Sequence, residues 1–157
     1  MLRIWQKTEK QKLEPVGMGT AFPFLKEKNH VVSIIGGGGK TTLLYEMAGF
    51  CVKNDQKVLV TTSTHIYRPP KGGHDQSLEA VERKFRTGRA AIIGSACRDP
   101  EKLSMPETEL FEAARKKADL TLIEADGARH LPCKAPAEHE PALLSSSDLV
   151  IGVTGLS

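Results

Sequence analysis

A chain of 157 residues with a net charge of +3 has room for one domain with a sizeable core and too little for two. Its 39% apolar and 26% charged residues are ordinary for a globular protein, and no apolar run approaches the roughly 20 residues of a membrane span. Met1–Lys7 lacks the apolar stretch of a secretory signal, and Cys51, Cys97 and Cys133 are far apart with no C-x-x-C pair, so we expect a cytoplasmic protein without membrane partner, disulfides or structural zinc.

The first thirty residues are the least regular. Gln6 to Glu14 is polar and lysine-rich, and Pro15, Gly17 and Gly19 interrupt any helix, so residues 1–30 are expected as an N-terminal extension packing on the domain. Val31-Val32-Ser33-Ile34-Ile35 has the β-branched composition of a strand buried on both faces. Four glycines follow. From Thr41 to Lys53, Leu43, Leu44, Met47, Ala48 and Cys51 recur at helical spacing until Asn54-Asp55 breaks it, and Lys57 to Thr62 is the next strand.

Asp75 is expected to cap a helix from about Gln76 to Thr87 that Gly88 ends, and Ala90 to Gly94 is a third strand. Ser104-Met105-Pro106-Glu107 has the spacing of a capping box, opening a helix to about Lys117 whose basic last turn complements the negative helix end. Asp119 to Glu124 is a fourth strand and Asp148 to Val153 a fifth. Two basic clusters lie on these helices, Arg83-Lys84 with Arg86 and Arg89, and Arg115-Lys116-Lys117. Without base-stacking aromatics beyond Phe85 they read as solvated faces, and no nucleic-acid partner is expected.

Strands alternating with helices predict an α/β fold, a mainly parallel sheet with helices on both faces, whose functional loops lie at the strands' C-terminal ends. The fifth strand runs almost to the last residue with no covering helix, so 31–157 is expected as a domain lacking a C-terminal portion.

A strand, then Gly36-Gly37-Gly38-Gly39-Lys40-Thr41-Thr42, then an amphipathic helix predicts a phosphate loop and a three-layer P-loop NTPase-like fold. Glycines let the backbone curl round phosphates and aim its N–H groups inward, and the helix adds its positive end. Lys40 can reach the β and γ phosphates, and the Thr41 hydroxyl can ligate a bridging Mg2+. The pattern G-x-x-x-x-G-K-[ST] wants glycine at position 34, where Ile34 stands. The loop instead resembles the G-G-x-G-K-T-T variant of the signal-recognition and Min/Par-like proteins, with Ile35 in place of that variant's lysine.

After the fourth strand, Glu124 and Asp126 are two apart and point to the same side of an extended segment. Such carboxylates hold the magnesium shell or orient a nucleophile. Asp126 is assigned to the metal with Thr41, and Glu124 to a supporting or base role; the reverse division also fits.

With these segments in hand, the chain resembles the YqeC-like proteins, described as selenium cofactor biosynthesis or selenium-dependent molybdenum hydroxylase accessory proteins. The resemblance rests on Gly36 to Thr42, Val60-Thr61-Thr62-Ser63-Thr64-His65, Glu124-Ala125-Asp126-Gly127-Ala128, Leu131 to Pro136 and Glu138 to Pro141. It implies a molybdenum hydroxylase or selenium donor protein as partner, while the phosphate loop predicts Mg2+ with ATP or GTP. Within that pathway the activity is an NTPase, a phosphoryl or nucleotidyl transfer, or a nucleotide-gated chaperone; the alternative outside it is a small-metabolite kinase.

The threonines of positions 61–64 end the second strand beside the glycine loop and offer hydroxyls to a phosphate or a metal-bound water; β-propensity explains them equally well. Lys134, on a stiff loop between Pro132 and Pro136, is assigned positive charge for a transferring group, against a plain surface lysine. His65 is a candidate acid–base group. His130 and Cys133 lack the second pair of a zinc site, and little near Cys133 would activate its thiol.

Overall fold

Alternation of β-branched runs with amphipathic ones builds a parallel sheet between two helical layers. The structure is a computed structural model that describes residues 2–69, 73–127, 133 and 141–155. Strands β1 (Ile4–Lys7) and β2 (Leu13–Val16) form an antiparallel hairpin, followed by helix α1 (Met18–Ala21) and a 3-10 turn, Pro23–Lys26. Next come β3 (His30–Gly36), α2 (Lys40–Val52), β4 (Val58–Thr62), β5 (His65–Tyr67) and α3 (Leu78–Arg86). Then β6 (Ala91–Ile92), β7 (Ser95–Ala96), β8 (Lys102–Ser104), α4 (Thr108–Arg115), β9 (Leu120–Glu124) and β10 (Leu149–Val153) complete the order.

The main sheet runs β10-β3-β9-β4-β6 with every neighbouring pair parallel. Period-2 alternation sorts its side chains into two cores. Val32, Ile34, Val58, Val60, Leu120 and Leu122 pack with Leu44, Met47 and Cys51 of α2. Val31, Leu59, Ala91 and Ile123 pack with Val81 of α3 and Phe111 and Ala114 of α4. Helices therefore cover both faces. Each such Val, Leu, Ile or Phe removed from water contributes about 1.5–3 kcal/mol before entropic costs. Leu25, from the 3-10 turn, is buried in the α2-side core.

Register decides where the chemistry goes. Ile34 and Thr62 both lie opposite Glu124, so β4 and β9 end level with one another, while β3 runs two residues further along β10 and puts Gly36 opposite Val153. A second sheet of order β5-β8-β7 is antiparallel throughout and follows the ends of β4 and β6.

The elements depart from expectation at three places. The N-terminal segment forms a hairpin, closed by a turn in which Gln11 takes φ 60° and its amide donates to Thr8 O at 2.9 Å. Ser77 rather than Asp75 caps α3, its hydroxyl accepting from Ala80 N at 3.2 Å, because the buried Asp75 carboxylate accepts from Ile92 N at 3.0 Å and ties the loop to β6. Ser104 opens no helix. It belongs to β8 and donates to Ser95 O at 3.3 Å, while α4 starts at Thr108 after an N-cap Glu107 with no side-chain cap bond.

Candidate functional site

The site begins where β3 runs out. Gly36 has φ 103°, and a Cβ there would stand 2.1 Å from Val153 O, so only glycine fits. The next amide, Gly37 N, donates to that same carbonyl at 2.7 Å, fastening the loop to the edge strand. Gly39, the N-cap of α2, has φ 96°. Left-handed backbone thus brackets the loop. The first bond of the α2 ladder runs from Leu43 N to Gly39 O at 2.9 Å, so the amides of Lys40, Thr41 and Thr42 precede the ladder at the helix's positive end.

Two acids from the end of β9 meet this loop. Lys40, 2% exposed, donates to Gly36 O at 2.8 Å and Gly37 O at 3.3 Å, and its ammonium lies 3.0 Å from Asp126 Oδ1. Asp126 Oδ2 also accepts from Gly36 N at 2.8 Å, so one carboxylate holds both the lysine and the loop. Thr41 Oγ1 donates to Glu124 Oε2 at 2.7 Å. Burial pushes the Glu124 carboxyl above its usual range, partly opposed by the Thr41 hydrogen bond and the Lys40 charge. The phenol of half-buried Tyr45 is raised as well, first by desolvation and then by the Glu124 charge.

The hydroxyl residues at the end of β4 and just beyond it divide between structure and cleft. Thr61 Oγ1 donates to Ile93 O at 3.1 Å and Thr62 Oγ1 to Glu124 O at 2.8 Å, so both hydroxyls serve backbone carbonyls of neighbouring segments. Among the described residues Ser63 Oγ and Thr64 Oγ1 are buried without a hydrogen-bond partner, and Thr64 lines the cleft. An unmet buried hydroxyl is a site in want of a ligand or water.

The cleft measures about 990 Å3. Gly37 to Thr42 and Glu124 form one wall, while His65 and Tyr67 of β5, the turn Cys97 to Asp99, and Lys102 and Ser104 of β8 form the other. Lys102 Nζ is 3.3 Å from Asp99 Oδ2 and 4.7 Å from the Tyr67 ring centroid. The Glu101 amide, donating at 3.0 Å, holds Asp99 below its usual range with help from Lys102.

The structure therefore brings together Gly36, Gly37, Gly38, Gly39, Lys40, Thr41, Thr42, Glu124 and Asp126. Lys134 and His130 lie outside the described residues. Cys133 is exposed, and Cys51 is buried with its thiol pushed up to about 11 by desolvation. Among the described residues no group of three or more His, Cys, Asp and Glu is placed to hold a metal ion by itself. Sequence reasoning missed the wall made by Tyr67, Arg98, Asp99 and Lys102. Their only signal is position after β4 and β6, with no motif.

A family model described as "YqeC protein" matches residues 32–157. A curated relative, "Uncharacterized protein YqeC" of Escherichia coli (strain K12), is 31% identical in an alignment covering 80% of this chain and 51% of the relative. The chain thus spans about half the length of that relative. No solved structure matches.

Proposed function

The chain belongs to the YqeC family, and from that premise we propose that it is a Mg2+-dependent nucleoside triphosphate-binding protein whose glycine loop is a P-loop. The observation that carries the reading is the Lys40-Thr41 pair at the N-terminus of α2, set behind left-handed Gly36 and Gly39 and faced by two buried acids. Backbone amides at a helix start, an ammonium and a hydroxyl are the donors a triphosphate tail requires.

In this reading the acids take the second of the two divisions that the sequence leaves open. Asp126 pairs with Lys40 and holds Gly36 N, which keeps the loop in shape before a phosphate arrives. Glu124 accepts from the Thr41 hydroxyl, so Thr41 and Glu124 are the pair that would hold Mg2+. The ion, when bound, would supply charge neutralisation to the phosphates. ATP and GTP both fit these donors, which read phosphate and not base. A place in selenium cofactor biosynthesis, or in maturation of selenium-dependent molybdenum hydroxylases, is part of the same proposal and rests on the family resemblance.

Calorimetric titration with ATP and GTP, with and without Mg2+, tests the reading. We expect saturable binding that weakens when EDTA removes the metal and disappears in Lys40→Ala, with circular dichroism checking that the variant is folded. Parental affinity in folded Lys40→Ala, or no binding by the parent, would overturn it.

A further inference from the structure

The glycine-loop wall accounts for a triphosphate, but the facing wall of the same cleft has no assigned ligand. Its surplus charge is positive. Arg98 and Lys102 face a single carboxylate, Asp99, with His65 alongside. Lys102 is held in place by Asp99 at 3.3 Å and by the Tyr67 ring at 4.7 Å, a fixed ammonium rather than a wandering one. Arg98 is exposed, and among the described residues its guanidinium makes no ion pair or hydrogen bond. Glu124, on the opposite wall, is close enough for the Lys102 charge to act on its carboxyl, so Lys102 acts across the cleft on the end of β9.

Size agrees with charge. A cleft of about 990 Å3 lies at the upper end of the range for small-molecule sites, roughly 300–1,000 Å3, leaving room beyond one polyphosphate tail. The backbone beneath the cations is anchored. Strands β5, β7 and β8 are paired at Ile66–Leu103 and Ala96–Leu103, and Ile66 and Leu103 are buried, so the charged side chains stand on a fixed platform.

We propose that this wall binds a second, anionic small molecule, bearing a carboxylate or phosphate group that Arg98 and Lys102 engage, beside the nucleotide held by the glycine loop. The inference rests on the nucleotide reading for its word "second" and on the facing wall alone for the anion. Arg98 supplies a planar fork that matches a carboxylate or phosphate in two hydrogen bonds, and Lys102 supplies a point charge.

The test uses the full chain, 15N-labelled, titrated with glycerol 3-phosphate, glutarate and neutral glycerol, first alone and then saturated with Mg2+ and a non-hydrolysable triphosphate analogue. At least one anion is expected to shift the resonances of the β7–β8 turn saturably, while glycerol does not. Arg98→Ala is expected to weaken that binding about tenfold, and Lys102→Gln to weaken it less, with triphosphate affinity unchanged in both. Phosphate preferred over glutarate, or the reverse, identifies the anion. Anion shifts that are absent, or indifferent to Arg98→Ala, would overturn the proposal. An equal loss of triphosphate affinity in Arg98→Ala would also overturn it, because the wall would then serve the nucleotide. If the parent binds no nucleotide but keeps Arg98-dependent anion binding, the P-loop reading fails and the anion site stands.

Discussion

The two walls of the cleft solve the same problem, placing charge against a polar space, by opposite means. On the glycine-loop wall every charged group is buried and has a fixed partner: Lys40 with Asp126, Glu124 with Thr41. On the facing wall the charges reach solvent, and Arg98 has no partner among the described residues. Buried pairing gives precise geometry and makes the wall intolerant of change. Exposure leaves the other wall more tolerant of change.

The sharpest way to break this comparison is to unpair the buried wall. Asp126→Ala leaves the Lys40 ammonium buried without its counter-charge and the Gly36 amide without its acceptor, which should cost about 3–5 kcal/mol in urea unfolding. A loss below about 1 kcal/mol would mean that the pair is solvated in solution. Gly36→Ala should cost on the order of 3 kcal/mol, because a Cβ meets Val153 O at 2.1 Å and φ 103° disfavours any L side chain. Unchanged stability would show that β10 does not close on the loop.

A pH series sharpens the comparison further. The folded value of Glu124 is raised above the ordinary 4.5, so the folded chain holds that proton more tightly than the unfolded one. Its contribution to stability is therefore fully present below about pH 4.5 and is lost as pH rises through the raised value. Glu124→Gln removes this loss. The stability of the variant minus that of the parent should grow from about pH 4.5 to neutrality, and a difference that stays flat or shrinks would contradict burial as the dominant cause. The smallest effect belongs to the exposed wall: Arg98→Ala should change stability by no more than about 0.5 kcal/mol. A loss rivalling Gly36→Ala would erase the distinction between the walls.

The same contrast explains what is legible in the chain. Strand runs such as Val31 to Ile35 and Leu120 to Glu124 are contiguous, mainly apolar and buried on both faces, so their composition alone finds them. The glycine loop and the acids after β9 are equally local, each within seven residues. Their pairing is not local: whether Thr41 meets Glu124 or Asp126 depends on the β3–β9 register and on the direction of each side chain. The cap of α3 escapes sequence reading for a related reason, since Asp75 has a distant competitor in the Ile92 amide. The second sheet is illegible because β7 has two residues and β5 and β8 three each, too few for alternation to register.

The central claim is that the backbone from Gly37 to Thr42 receives a polyphosphate. Amide resonances of the 15N-labelled chain, followed as Mg2+-ATP is added, test it most directly. The account predicts that the amides of Gly37 to Thr42 shift first and furthest, and that adenosine with Mg2+ leaves them in place. Saturation with Mg2+-ATP that moves other amides while these stay still would contradict it.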